Sequence, residues 1–171
     1  MKAIYLDNAA TTKIDEEVVS LMVSSMQENF GNPSSTHQFG RKAKAAVETA
    51  RKNIAKHFNV SATEIVFTAG GTEADNLILN NAVLNLGVQR IITSKIEHHA
   101  VLHTCEFLEK SQHITLEFVN VDEFGSIDLV HLEELLATSN TKTLVSLMHI
   151  NNEIGNILNV DEISAICKKN D

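Results

Sequence analysis

Apolar residues in the first third of the chain recur at helical spacing. The first such set predicts a helix that starts after Glu16 and ends at the loop of residues 31–35; it comprises Val18, Val19, Met22, Val23 and Met26. A longer set steps by three or four residues and predicts a second helix with one continuous apolar stripe; it comprises Phe39, Ala43, Val47, Ala50, Ile54 and Phe58. Residues 61–64 have the spacing of a capping box and predict a single helical turn.

From residue 65 onward, short apolar runs alternate with amphipathic segments. Strand-like patterns cover residues 65–68, 90–94, 114–118 and 143–148, and helical patterns cover residues 73–86, 100–110, 129–137 and 160–169. Such alternation predicts an α/β fold whose sheet is parallel or mostly parallel and is flanked by helices on both faces. No repeat, low-complexity tract or linker divides the chain, so we expect residues 1–171 to belong to one domain.

Composition narrows the classes of partner and compartment. The chain carries 22 acidic and 14 basic residues, for a formal net charge of −8, which disfavours a nucleic acid or an anionic membrane as partner. No apolar run approaches the roughly 20 residues of a membrane span, and Asp7 interrupts the amino-terminal segment too early for a signal peptide. We therefore expect a cytoplasmic protein without disulfide bonds.

Three of the predicted loops that follow strands carry residues suited to chemistry. They are residues 70–72, with the paired glycines Gly70 and Gly71 before Thr72; residues 97–99, with His98; and residues 149–155, with Asn152. Because the carboxyl ends of parallel strands meet at one edge of the sheet, we expect these loops to face one crevice. Backbone N–H groups near the glycines could cradle a phosphate, an imidazole could stack or move a proton, and an amide could bind a phenolic oxygen. Together they describe a pyridoxal phosphate pocket.

Each of these residues also has a simpler explanation. The glycine segment could be an ordinary strand-to-helix turn with Thr72 as N-cap. His98 and His99 could be surface residues at the start of a helix, and the paired asparagines Asn151 and Asn152 could bond their own backbone in a turn. These alternatives stay open when each loop is considered alone.

Five ordered motifs give the sequence a strong resemblance to the cysteine desulfurase family of the class V aminotransferases. They lie at residues 5–12 (YLDNAATT), 30–35 (FGNPSS), 67–76 (FTAGGTEADN), 94–101 (SKIEHHAV) and 148–155 (MHINNEIG). The resemblance runs along the whole chain and implies part of the large domain of a fold type I enzyme. It also implies a pyridoxal 5′-phosphate cofactor, with Gly71 and Thr72 on its phosphate, His98 stacked on its ring as the catalytic proton relay, and Asn152 on its phenolic oxygen.

The activity that this resemblance implies is sulfur transfer. Family members convert L-cysteine to L-alanine and hold the sulfur as an enzyme persulfide, for iron–sulfur cluster assembly or thio-cofactor synthesis. The partners implied are L-cysteine, a second copy in a homodimer, and a sulfur-acceptor or scaffold protein. A selenocysteine lyase, or another class V lyase that uses pyridoxal phosphate, is the alternative within the enzyme class.

The chain also departs from the family, whose members are more than twice as long. In the family, the Asp that holds the pyridinium proton, the Schiff-base Lys, a substrate-binding Arg and the persulfide Cys all come later, as does the small carboxy-terminal domain. We therefore expect a truncated chain that is inactive alone. An alternative of another class is a non-catalytic fragment or interaction module that pairs with a separate carboxy-terminal half, because the sheet would otherwise expose an apolar edge.

Other candidate residues receive structural interpretations. His99 and His103 have i,i+4 spacing with Glu106 nearby, but a zinc site needs a third or fourth ligand, so no metal site is expected. Cys105 and Cys167 lie on apolar helix faces and are predicted to be core residues rather than sulfur nucleophiles. Lys95 follows a strand, yet we do not expect it to act as the Schiff-base lysine.

Overall fold

The computed structural model describes residues 3–170; Met1, Lys2 and Asp171, which belong to the segments considered above, lie outside the described residues. The chain forms two compact units, one ending at Phe67 and the other beginning at Thr68.

The first unit is helical, as the apolar spacing predicts. Helix α1 spans Glu16–Glu28, helix α2 spans Gln38–Phe58, and a 3₁₀ turn spans Ala62–Glu64. The turn has the predicted capping box, in which the Glu64 carboxylate accepts a hydrogen bond from the Ser61 N–H at 2.7 Å. The helix predictions for this unit are therefore confirmed.

Close packing in the first unit centres on the amino-terminal half of α2. Gly40 is buried against the loop before the helix, and a Cβ at this position would collide with the carbonyl oxygens of Asn32 and Ser35. In contrast, no residue of α1 is buried, and its apolar side chains range from 44 % exposed at Val19 to 70 % exposed at Leu21. The apolar face of α1 is therefore free to pack against further protein.

The predicted strand at residues 65–68 is wrong. Ile65 has extended backbone angles (φ −91°, ψ 120°), but the segment pairs with no strand among residues 3–170. A strand is defined by hydrogen bonds to a neighbouring strand, which local apolar spacing cannot supply. Instead, the Arg51 guanidinium donates to the Ile65 carbonyl and lies 4.7 Å from the centroid of the Phe67 ring.

The second unit is an α/β structure. Its elements in chain order are helix α3 (Gly71–Leu84), strand β1 (Arg90–Thr93), helix α4 (His99–Gln112), strand β2 (Thr115–Phe118), helix α5 (Leu129–Ala137), strand β3 (Thr143–Val145) and helix α6 (Val160–Lys169). The strands form a parallel sheet in the order β2-β1-β3, with Ile91 in register with Leu116 and Leu144. The α/β class and the parallel sheet are confirmed.

Helices cover both faces of this sheet, because successive strand residues point to opposite sides. Ile91 packs against residues of α3 and α4, among them Leu79 and Leu108. Ile92, its neighbour, packs on the other face against Leu132 of α5 and Ile163 of α6. Both isoleucines are fully buried, and each contributes about 1.5–3 kcal/mol to stability. The central strand therefore fixes the positions of all four helices.

The third strand is shorter than the predicted run of residues 143–148, although its pairing extends one residue further. The Ser146 N–H donates to the Ile92 carbonyl at 2.9 Å. Beyond it, the Met148 N–H donates to the Glu97 side chain instead of a strand. The strand thus ends where a carboxylate replaces the neighbouring backbone as hydrogen-bond partner.

None of the helices within residues 3–170 has both the length and the apolar character that crossing a bilayer requires.

Candidate cofactor site

The amino terminus of α3 differs from the other helix starts in residues 3–170. Its N-cap is Gly70, which provides no side chain for capping, whereas Asp15, His37, Ser61, His98, Asp128 and Asn159 each cap a helix or turn. Thr72 is therefore inside the helix and is not its N-cap, contrary to the simpler interpretation. The first N–H groups of α3 carry partial positive charge without a capping oxygen.

The two glycines leave open space at this helix start. Gly70 has an extended backbone (φ 170°, ψ −179°), which any residue type can adopt. A Cβ built on Gly70 or Gly71 has no atom within 4 Å apart from those of the adjoining residues and the local helix backbone. Their contribution is therefore room beside the backbone rather than an unusual turn.

Thr72 and His98 line a single cleft of about 540 Å³ between α3 and α4. The other residues around this cleft are Asn76, Asn80, His99, Ala100, His103, Thr104 and Phe107. Two of the three loops expected to converge thus meet at one surface. The cleft combines hydroxyl, amide and imidazole groups with the aromatic ring of Phe107, as a site for a polar aromatic ligand would require.

The His98 ring is held by the helix that it starts. Its Nδ1 accepts a hydrogen bond from the Ala100 N–H at 3.1 Å. An accepting Nδ1 carries no proton, so the neutral ring must carry its proton on Nε2. His98 therefore combines the predicted position at a helix start with a defined tautomer beside Thr72.

A polar bridge connects the two helices at the wall of the cleft. The Thr104 hydroxyl lies 2.8 Å from both Asn76 Oδ1 and the Ala100 carbonyl oxygen, and the Asn76 amide donates to the Thr72 carbonyl at 2.8 Å. This chain of contacts fixes α3 relative to α4. Its sequence signal is Thr104 itself, a polar residue at an apolar-stripe position of α4 between Val101 and Leu108.

The third loop does not bring Asn152 to this cleft. Asn152 is exposed and is not among the residues that line the Thr72–His98 cleft. Its neighbour Asn151 is buried, and its Oδ1 accepts from the N–H groups of Glu153 at 2.9 Å and Ile154 at 3.2 Å. Asn151 is thus a turn residue that bonds its own backbone, as the simpler interpretation held.

Glu97 precedes His98 in the same loop, and the sequence predicted no role for it. Its Oε1 accepts from the Ser94 hydroxyl at 2.8 Å and from the Met148 N–H at 2.9 Å, and the residue is only 8 % exposed. Burial raises the pKa of this carboxyl, and the charge of Asp75 adds to the rise, whereas the bonds from Met148 and Ser94 oppose it. A glutamate in the loop that follows the buried strand β1 is the available sequence signal.

The two cysteines lie in core positions, as their apolar helix faces predicted. Cys105 is fully buried, and Cys167 packs against the core on the α5–α6 face. The His99 and His103 rings stack with centroids 5.1 Å apart, and within residues 3–170 no group of three or more His, Cys, Asp or Glu side chains could hold a metal ion. Lys95 is exposed, and its ammonium group lies 5.8 Å from the Phe118 ring centroid.

Comparisons with known proteins agree with this architecture. The chain is 44 % identical over 172 residues to the cysteine desulfurase IscS of Dictyoglomus turgidum, covering 99 % of this chain and 43 % of the relative. It is also similar to the solved structure of a NifS-like protein (TM-score 0.86, 37 % identity, 96 % of this chain and 45 % of that one). A NifS-like protein from Rickettsia africae matches with a TM-score of 0.82 and 39 % identity, over 98 % of this chain and 45 % of that one.

These matches confirm the resemblance and the fold predicted from the motifs. The chain spans less than half the length of the relatives it matches. The family model for class V aminotransferases matches residues 4–171, which is nearly the whole chain. The chain therefore belongs to the aminotransferase class V family.

Proposed function

We propose that this chain is the amino-terminal part of the pyridoxal 5′-phosphate domain of a cysteine desulfurase. The observation that carries the proposal is the shared cleft of Thr72 and His98 at the uncapped start of α3. Uncapped N–H groups and the Thr72 hydroxyl are donors suited to a phosphate ester, and open space beside Gly71 leaves room for it. The residues therefore fit the cofactor.

Each site residue then has a defined task. Gly71 and Thr72 hold the phosphate, and His98 stacks on the ring and relays a proton through Nε2, because Nδ1 is engaged by Ala100. Asn152 is proposed to bond the phenolic oxygen, on the strength of the family motif alone. When bound, the cofactor supplies an electron sink for the substrate, and the protein supplies orientation and proton transfer.

The proposed reaction is removal of sulfur from L-cysteine to give L-alanine, with the sulfur passed to an enzyme persulfide. The names of the relatives favour this reaction over that of a selenocysteine lyase. Within residues 3–170 no lysine lines the cleft, Cys105 is fully buried, and Cys167 packs against the α5–α6 core, so none of these residues is suited to act as the family's anchoring lysine or sulfur-accepting cysteine. We therefore expect this polypeptide alone to release no alanine from cysteine.

Partners and location are proposed from the same resemblance. The intact enzyme is a cytoplasmic homodimer that passes sulfur to an acceptor or scaffold protein for iron–sulfur cluster assembly. The exposed apolar face of α1 supports a further protein contact of this kind. The net charge of −8 makes nucleic acid an unsuitable partner.

The proposal is tested by binding of pyridoxamine 5′-phosphate, whose amine cannot form a Schiff base with surface lysines. Pyridoxamine, which lacks the phosphate, is the matched ligand. We expect the phosphate ester to bind more tightly than pyridoxamine, and Thr72→Val and His98→Ala to weaken its binding about five- to tenfold each. The control variants Thr115→Val and His57→Ala, at exposed positions outside the cleft, should bind like the parent.

Two results would contradict the proposal. One is equal affinity for pyridoxamine and its phosphate ester, which would show that the helix start does not recognise phosphate. The other is unchanged affinity in both Thr72→Val and His98→Ala, which would place the ligand elsewhere.

A further inference from the structure

Two loops at the carboxyl ends of β1 and β3 are joined by a pair of buried side chains. From the first loop, Glu97 accepts the Met148 N–H at 2.9 Å. From the second, the Asn151 amide donates to the Ile96 carbonyl at 2.8 Å. The two side chains thus reach in opposite directions between the loops, and each bonds the backbone of the other loop.

The buried residues alternate with the exposed residues to which cofactor roles are proposed. Glu97 is 8 % exposed and precedes the exposed His98, and Asn151 is 6 % exposed and precedes the exposed Asn152. An inward-facing residue beside an outward-facing one fixes the backbone from which the second side chain projects. In each pair, the buried residue therefore holds the backbone in place and the exposed residue projects from it.

We propose that Glu97 and Asn151 are positioning residues that clamp the two loops together and so hold His98 and Asn152 in place. This inference rests on the proposed cofactor roles of His98 and Asn152. The clamp itself is a property of the chain and can be measured without any cofactor. We call these two cross-loop hydrogen bonds the loop clamp.

The chemistry of the two side chains suits this task. Burial of a carboxyl group costs free energy unless hydrogen bonds compensate, and Glu97 receives bonds from Ser94 within its own loop and from Met148 across the gap. Asn151 uses both ends of its amide, with Oδ1 closing its own turn at Glu153 and Nδ2 crossing to Ile96. Each residue therefore organises its own loop and ties it to the other.

The test follows single sites by NMR in the 171-residue chain. Hydrogen exchange of the Met148 amide reports the Glu97 bond, and the Ser146 amide, which bonds the Ile92 backbone, is the internal reference. The ¹⁵N shifts of the His98 ring report whether Nδ1 stays fixed as an acceptor. The variants are Glu97→Ala, Glu97→Gln, which keeps an accepting oxygen, and Asn151→Asp, which keeps Oδ1 and loses the Nδ2 donor.

For Glu97→Ala we expect the Met148 amide to exchange at least about tenfold faster, while the Ser146 amide changes less than about threefold. The His98 ring shifts should move toward a mixture of tautomers in Glu97→Ala and in Asn151→Asp. In Glu97→Gln we expect the Met148 exchange rate and the His98 ring shifts to return to those of the parent. A general loss of stability would not produce such a rescue. Glu106→Ala, at an exposed acid on α4, is the matched control and should change neither.

Parent-like Met148 exchange in Glu97→Ala would overturn the clamp, as would unchanged His98 shifts in both Glu97→Ala and Asn151→Asp. If Glu97→Ala does not fold, Asn151→Asp decides by the His98 shifts alone. Titration with pyridoxamine 5′-phosphate is a separate readout. An intact clamp without ligand binding would contradict the proposed function only, and ligand binding without a clamp would contradict this inference only.

Discussion

The Thr104 hydroxyl lies 2.8 Å from Asn76 Oδ1 and so joins α4 to α3 at the wall of the Thr72–His98 cleft. The same asparagine donates to the Thr72 carbonyl at 2.8 Å. A residue proposed to bind phosphate is therefore connected, through two hydrogen bonds, to the helix that carries His98 at its start. The relative placement of the two helices depends on a polar contact as well as on their apolar packing.

Thr104→Val tests this bridge, since valine keeps the shape of threonine and removes the hydroxyl. Thr104 is buried, so the change leaves Asn76 Oδ1 without this partner. We expect the free energy of unfolding to fall by about 1–3 kcal/mol, as measured by urea denaturation. Thr115→Val, at an exposed position, is the matched control, and a loss no larger than in the control would argue against the bridge.

An ion pair between the buried Arg90 and the half-buried Glu117 links the first two strands of the sheet. Arg90 is 3 % exposed, and its guanidinium also donates to the Leu135 carbonyl of α5. Glu117→Ala leaves this buried charge without its carboxylate, and we expect a loss of about 1–3 kcal/mol in unfolding free energy.

Arg90→Met is the informative companion to that variant. It removes the charge and keeps much of the volume, so it should cost less than Glu117→Ala, with both measured by urea denaturation. A larger loss in Arg90→Met would show that the hydrogen bonds of the guanidinium outweigh the cost of leaving a charge unpaired.

Glu97 should make stability depend on pH in a defined direction. Its pKa in the folded chain is raised above the ordinary value of 4.5, mainly by burial and further by Asp75. The folded state therefore binds the proton more tightly than the unfolded state does, and stability falls as the pH rises from about 4.5 through the raised pKa. Cys105 also faces this carboxylate, but it titrates far above this range.

The comparison with Glu97→Gln isolates this effect, because glutamine does not titrate. The difference in unfolding free energy, parent minus variant, should decrease from about pH 4.5 upward and level off once Glu97 is ionised. A difference that stays constant or increases with pH would contradict the raised pKa.

Cys105 should be an unreactive thiol. It is fully buried, and burial raises its pKa to about 11, with smaller contributions from Glu97 and Glu106. At neutral pH the thiolate fraction is small and the sulfur is inaccessible, so we expect a thiol reagent to label Cys105 only after denaturation. Rapid labelling of Cys105 in the folded chain would show that its role is more than packing.

The sequence predicted best what depends on local spacing. Helix α5 has the predicted bounds of residues 129–137, because its capping residue and apolar stripe lie within a few positions of each other. The prediction of a strand at residues 65–68 was wrong because a strand forms only with a partner strand, which can be distant in the sequence. Neighbouring asparagines cannot be told apart by type, so only the three-dimensional turn shows that Asn151 faces inward and Asn152 outward.

The position of the phosphate is the most direct test of the account. Amide shifts of the ¹⁵N-labelled 171-residue chain are followed during titration with pyridoxamine 5′-phosphate, with pyridoxamine as the reference ligand. The account predicts that the phosphate-dependent shifts are largest at the Gly71 and Thr72 amides and that the His98 ring signals move with them. Phosphate-dependent shifts that spare these three residues would contradict the assignment of this cleft as the cofactor site.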